Sequence, residues 1–85
     1  MKFYAEINIM PLDGLLDPQG KTVLRNLSNI DVTGIQDLRI GKHMHMELDA
    51  ADEKAAKSIV DTACKKLLAN PIMEKYEFSL EVVPS

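Results

Sequence analysis

The stretch LDGLLDPQGK at residues 12–21 marks the place where a first strand ends and a first helix begins. Asp17 can accept hydrogen bonds from the free backbone N–H groups of a new helix, and Pro18 suits the first helical position because its missing N–H is not needed there. Gly20 is unfavourable in a first helical turn unless another group packs close to its backbone. We therefore predict a helix that begins at Pro18, and we take the unexplained Gly20 as a sign of a surface for a partner.

The residues on either side of this stretch define the first strand and the first helix. Apolar residues occupy the odd positions from Phe3 to Ile9, which is the period of a strand with one buried face. Apolar residues then recur at helical spacing from Val23 to Ile30. The pattern predicts a strand over Phe3–Ile9, a helix from Pro18 to about residue 28 and a loop over residues 29–34.

The middle of the chain alternates again, with apolar residues at most even positions from Leu38 to Leu48. This phase is kept across Gly41. A two-residue hairpin would break the phase by pairing Ile40 with His43, whereas a three-residue loop at 41–43 keeps it. One long strand bent at Gly41 keeps it equally well. The sequence leaves the three-residue hairpin and the bent strand as open alternatives.

A second helix and a closing strand complete the pattern. Asp49, with Asp52 three residues on, is the expected helix start before a broad apolar stripe. Asn70-Pro71 ends this helix, and Tyr76–Val82 alternates as a strand. The fold class expected is α+β: one small two-layer ferredoxin-like βαββαβ domain over residues 1–85, with an antiparallel sheet and two helices on one face. Such a sheet leaves its other face to water or to a second copy.

Composition limits the classes of function. A chain of 85 residues removes only about 60 to 65 percent of its unfolded surface from water, so association is a natural source of stability. A net charge of -3 with ten basic residues argues against nucleic-acid binding. The single Cys64 excludes an intrachain disulfide, and no apolar run approaches the roughly 20 residues that span a bilayer. We expect a soluble cytoplasmic protein that binds no membrane.

Side chains that carry chemistry are few. His43 and His45 share one strand face with Glu47 and could grip a metal ion, although a solvated polar face gives the same pattern. Cys64 lies in a helical pattern and reads as packing. Gly41-Lys42 lacks the upstream glycine of a phosphate loop and reads as a turn. We expect no catalytic, cofactor-binding or metal-binding residues on this chain.

Three blocks carry a resemblance to a known family. They are LDPQG at residues 16–20, LRIGK at 38–42 and LLANPIMEKY at 67–76. In order and spacing the chain resembles the PurS family, the small subunit of phosphoribosylformylglycinamidine synthase, an enzyme of purine biosynthesis. One departure is Asp13, where the family pattern usually carries a basic residue.

The resemblance implies a non-catalytic assembly subunit of an ATP-dependent glutamine amidotransferase complex that makes formylglycinamidine ribonucleotide. In that family a glutaminase subunit (PurQ) releases ammonia, and a synthetase subunit (PurL) binds ATP and magnesium. The PurS-like chain bridges the two subunits, and the isolated chain is expected to be inactive. It is also expected to form a homodimer or a dimer of dimers. The candidate partner-interface residues are Asp17, Pro18, Gln19, Gly20, Lys21, Arg39, Gly41, Lys42, Asn70, Pro71, Ile72 and Met73.

Two alternatives remain from the residues themselves. A small βαββαβ domain that dimerises resembles stand-alone regulatory modules of the ACT type, which hold a small molecule between copies. A metal-binding domain centred on His43 and His45 is the other. The fold alone does not choose among these functions.

Overall fold

The computed structural model describes residues 1–15 and 17–84, and the α+β class with an antiparallel sheet and two α-helices is confirmed. The elements in chain order are β1 (Lys2–Pro11), α1 (Pro18–Asn29), β2 (Lys42–Asp49), α2 (Glu53–Ala63), which continues through a π-helical turn (Cys64–Leu68), and β3 (Glu74–Val83). Among the described residues, no helix has the length and apolar composition needed to cross a bilayer.

The sheet has β1 at its centre, with β2 and β3 antiparallel on either side. Ile7 of β1 lies opposite Met44 of β2 and Phe78 of β3, so the apolar positions of all three strands share one face. Phe3 and Ile9 are buried there, as the alternation predicted. The outer face carries the polar residues of each strand.

The segment before β2 forms neither of the two structures expected around Gly41, the three-residue hairpin and the bent strand. Residues 32–41 are irregular, and β2 begins at Lys42, opposite Ile9. Neither the three-residue hairpin nor the long bent strand is present in the described chain, whose sheet has three strands. The physical reason is a competing acceptor: the backbone N–H of Ile40 donates to the carboxylate of Asp17 and not to a strand.

The hydrophobic core lies between β1 and α2. Ala5, Ile7 and Ile9 pack with Val60 and Cys64, which are all fully buried. The start of α2 lies three residues later than the expected Asp49, because the carboxylate of Asp52 is the one that accepts from the backbone N–H of Ala55, at 2.8 Å. Cys64 contributes packing as expected, and burial raises the pKa of its thiol.

Helix α1 does not share this core. The two helices were expected on one face of the sheet, but in the part of the chain that the structure describes only α2 is in substantial contact with a strand. Gly20 is the one buried residue of α1. The radius of gyration is 16.7 Å, against about 12 Å for a compact chain of this length. Residues 12–15 and 17–41, with α1 at their centre, therefore form an extension that we call the arm.

Candidate functional site at the base of the arm

Asp17 joins the start of α1 to the segment that returns from the arm. One carboxylate oxygen accepts from the backbone N–H of Gly20 at 3.1 Å, and the other accepts from the backbone N–H of Ile40 at 2.8 Å. The bond from Ile40, followed by that from Gly20, lowers the pKa of Asp17. The predicted helix cap is thus confirmed, and the same side chain also holds the returning segment.

Gly20 lies directly beneath the returning segment. A Cβ atom at this position would overlap the backbone carbonyl oxygen of Leu38 and crowd the carboxylate of Asp17. The group that packs close to this unfavourable glycine in the first helical turn is therefore the chain's own backbone. Only a residue without a side chain lets the two backbones meet here.

Arg39 crosses from the returning segment to the outgoing one. Its Nη2 donates to the carbonyl oxygens of Leu12 at 2.9 Å and Leu15 at 3.3 Å. Its Nε lies 3.9 Å from a carboxylate oxygen of Asp17, which gives attraction but no hydrogen bond, and this nitrogen is buried. Arg39 was predicted as an interface residue, and the structure places its guanidinium against the chain's own backbone.

Gly41 and Lys42 connect the arm to the sheet. The backbone of Gly41 packs on the carbonyl oxygen of Ile9 and the sulfur of Met10, where a Cβ atom would overlap both. The ammonium of Lys42 lies 3.4 Å from the carboxylate of Glu74 at the start of β3. These two predicted residues therefore lie where the arm joins one end of the sheet, at which β1 ends and both edge strands begin.

The turn over residues 70–73 lies beside this junction. Asn70 accepts from the backbone N–H of Ile72 at 3.0 Å, and the carbonyl of Met73 accepts from the backbone N–H of Leu12 at 2.9 Å. Ile72 is 80% exposed and Met73 53% exposed, so neither side chain folds back over the core. Pro71 is exposed beside them.

The remaining predicted residues lie on the first turn of α1. Pro18, Gln19 and Lys21 are exposed. Pro18 and Gln19 border a shallow, open depression next to Ile40. Of the predicted residues, the structure thus gathers those of the first two blocks around the base of the arm and the third block alongside it.

Asp13, the departure from the family pattern, forms an exposed ion pair across this region. Its carboxylate lies 3.0 Å from the ammonium of Lys75. The negative charge is matched within the chain, because Lys75 supplies the basic group on the other side of the contact.

Sequence reasoning missed a polar network on the outer face of the sheet. The carboxylate of Glu6 bonds the Nε2 atom of His43 at 2.7 Å and the Nδ1 atom of His45, and Asn8 bonds the Nδ1 atom of His43. The register Glu6↔His45 is the signal that would have revealed it, but register needs the pairing of β1 with β2. In residues 1–15 and 17–84, no group of three or more His, Cys, Asp and Glu side chains is arranged to hold a metal ion.

Comparison with known proteins identifies the family. A family model, PurS, described as phosphoribosylformylglycinamidine (FGAM) synthase, matches residues 4–82. The PurS subunit of phosphoribosylformylglycinamidine synthase from Bacillus subtilis is 37% identical over 81 residues, which is 95% of each chain. The PurS subunit from Thermotoga maritima is 36% identical over 75 residues, or 88% of this chain and 92% of that one.

Solved structures agree with the sequence matches. A chain in the structure of PurLQS from Thermotoga maritima superposes with a TM-score of 0.88 at 33% identity, covering 95% of this chain and 99% of that one. Bacillus subtilis PurS superposes with a TM-score of 0.83 at 30% identity, covering 94% and 99%. On these matches, which span nearly the whole sequence, the chain belongs to the PurS family of phosphoribosylformylglycinamidine synthase.

Proposed function

We propose that this chain is the assembly subunit of phosphoribosylformylglycinamidine synthase and bridges a glutaminase (PurQ) to a synthetase (PurL). The observation that carries the proposal is its close likeness to a chain in the PurLQS structure, over 95% of its own length. Family membership also decides against the regulatory ACT-type alternative. The complex is a ligase that uses glutamine as the nitrogen donor, and this chain adds no reactive group of its own.

The contribution of the chain would be positional. Holding two active sites in a fixed relation lets ammonia pass from the glutaminase to the synthetase without being lost to water. ATP and magnesium would belong to the synthetase. The geometry supports this role, because Asp17 and Arg39, the charged residues of two family blocks, bind backbone groups and shape the chain.

Self-association is the second part of the proposal. Helix α2 packs beside β3, and within residues 1–15 and 17–84 no helix is in substantial contact with β2. Met44, Met46 and Leu48 on the inner face of β2 pack against the core and are half-buried. This is an apolar surface on the core side of a sheet, and such surfaces are normally covered.

Helix α1 offers the matching surface. Its stripe of Val23, Leu24 and Leu27 is exposed or half-buried, since the arm holds α1 away from its own sheet. We propose that α1 of a second copy covers the β2 half of the sheet, and that the exchange is mutual. A two-fold arrangement satisfies both surfaces at once, because each copy contributes one helix and one strand.

Reconstitution tests the bridging function. Purified synthetase and glutaminase should form product from glutamine only when this chain is added, whereas synthetase supplied with ammonium salts should need it far less. A chain that carries no reactive group should show no turnover alone. Full glutamine-dependent activity from the two other subunits without it would contradict the proposal.

Mixed cysteine variants test the exchange. We would combine a Leu24→Cys chain with a Met46→Cys chain, both with Cys64→Ala, and oxidise the mixture. A disulfide between the two different chains is expected, and the same pair placed at Arg25 and Met46 is the control because Arg25 lies on the exposed side of α1. Absence of a crosslinked dimer in the Leu24 mixture would contradict the exchange.

A further inference from the structure

The base of the arm is built from two chain segments that hold each other in both directions. The outgoing segment runs from Leu12 to Asp17, with residue 16 outside the described chain, and the returning segment runs from Leu38 to Gly41. Arg39 on the returning segment donates to two carbonyl oxygens of the outgoing one. Asp17 on the outgoing segment accepts from the backbone N–H of Ile40 on the returning one. Each segment thus supplies a charged side chain to the backbone of the other.

These hydrogen bonds give the backbone groups of both segments the partners that a neighbouring strand would supply in a sheet. Backbone groups in an irregular segment need partners when they are shielded from water. The planar guanidinium of Arg39 presents several donors in a fixed arrangement, which suits two neighbouring carbonyl oxygens. Charge-assisted hydrogen bonds of this kind are stronger than neutral ones.

Two glycines close the same junction from either side. At Gly20 the start of α1 touches the carbonyl of Leu38, and at Gly41 the returning segment touches the carbonyl of Ile9. Direct backbone contact at both points leaves little room for the segments to slide. The direction of α1 is therefore set at the base of the arm, because among residues 1–15 and 17–84 there is no substantial contact between α1 and its own sheet.

We propose that Arg39 and Asp17 form a clamp that fixes the angle of the arm to the sheet, so that α1 is delivered in one orientation to a second copy. Arg39 is then a positioning residue for assembly: it acts through α1 and does not itself contact the partner. This inference rests on the proposed exchange of α1 between copies. The clamp assigns a role to the contacts of Arg39 and Asp17, which neither the hydrophobic core nor the reaction requires.

The first test measures the clamp without any need for assembly. Amide hydrogen exchange is compared among wild type, Arg39→Met, Arg39→Lys and Arg25→Met, the last being an exposed arginine on α1. Arg39→Met should speed exchange at the Ile40 amide by about tenfold or more, as expected when a charge-assisted hydrogen bond is lost. Arg39→Lys should restore part of the protection, and Arg25→Met should change nothing. Unaltered exchange at Ile40 in Arg39→Met would overturn the clamp.

The second test measures positioning. Each variant is titrated into a fixed amount of synthetase and glutaminase, and glutamine-dependent activity is recorded. Arg39→Met should raise the concentration for half-maximal activity about tenfold and leave the activity at saturation unchanged, because the arm still reaches the correct orientation part of the time. Arg39→Lys should lie between the two. A half-maximal concentration equal to that of wild type would overturn the positioning role.

The two proposals fail in different ways. A wild-type chain that stays monomeric at concentrations giving full activity would refute the exchange of α1. The rate of amide hydrogen exchange at Ile40 would still decide whether the clamp exists. Faster exchange at Ile40 in Arg39→Met without any change in the activity titration would refute only the role of the clamp in assembly.

Discussion

Replacing Gly20 by alanine should destabilise helix α1, which is the reverse of the usual effect. In an ordinary helix interior, alanine in place of glycine stabilises by about 1 kcal/mol. Here the added Cβ would overlap the carbonyl oxygen of Leu38, which belongs to a backbone and cannot rotate aside. Forcing an extra methyl group into a packed site costs about 1–3 kcal/mol, and a rigid neighbour favours the upper part of that range. The two terms leave a net loss of about 1–2 kcal/mol.

The assay must read the arm as well as the whole chain, because α1 lies outside the core. Urea denaturation followed by circular dichroism gives the free energy of unfolding, and amide exchange over residues 21–29 gives the local stability of α1. Asn26→Ala is the matched control: Asn26 is exposed in the same helix, so alanine there should stabilise by about 0.5 kcal/mol. If Gly20→Ala stabilised α1 as Asn26→Ala does, the argument from close backbone approach would be refuted.

Two further predictions concern the sheet. Met46→Glu should leave the monomer folded but weaken self-association about a hundredfold or more, measured by analytical ultracentrifugation, because a charge would be buried beneath the partner's helix. Ser58→Glu, at an exposed position of α2, is the control, and equal association of the two variants would contradict the exchange. The hydrogen bond to Glu6 raises the pKa of His45 above its usual 6.5, so its stabilisation is complete below that value and is lost as pH rises through the raised pKa. Bonding to His45 and then His43 lowers the pKa of Glu6 from its usual 4.5, so that contribution is lost as pH falls through the lowered pKa. Melting temperature should therefore fall in wild type as pH rises from 6.5 through the raised pKa of His45, and should respond less in Glu6→Gln. Identical profiles for the two proteins would refute the coupling.

The first and last strands of the sequence pattern, β1 and β3, and the start of α1 were predictable because their causes are local. The alternation of Phe3–Ile9 fixed which face of β1 is buried, and the Asp17-Pro18 pair fixed the first residue of α1. For α2 the expected start at Asp49 was three residues too early, because the carboxylate that caps the helix is that of Asp52, which accepts from the backbone N–H of Ala55. In each case the signal and its structural consequence lie within a few residues of each other.

The segment before β2 was not predictable for the opposite reason. An alternating pattern shows which side of an extended segment is apolar, but it does not show whether the backbone pairs with a strand. At Ile40 the backbone N–H is taken by Asp17, 23 residues away along the sequence. A contact of that range leaves no trace in the local spacing of apolar residues.

In the candidate site, too, some features were predictable from local sequence and others depend on long-range contacts. The glycine at position 20 indicated that something approaches the backbone, but only the fold identifies the carbonyl of Leu38. In the sequence Arg39 has no adjacent carboxylate except Asp37, so its side chain could either contact a partner's acidic group or stay in solvent. The structure instead directs its guanidinium to Leu12 and Leu15. Local sequence revealed that these residues are unusual, and long-range geometry revealed why.

The placement of α1 connects the small size of the chain to its role in a complex. A domain this short buries only about three-fifths of its unfolded surface even when both helices pack on the sheet. Holding α1 away forgoes part of that burial and leaves Met44, Met46 and Leu48 half-exposed. The chain can recover the lost burial only from another molecule, so its stability should be coupled to the formation of the complex. An assembly subunit with this property is best ordered when its partners are present, and the clamp at Arg39 and Asp17 ensures that the surface it then presents has one defined geometry.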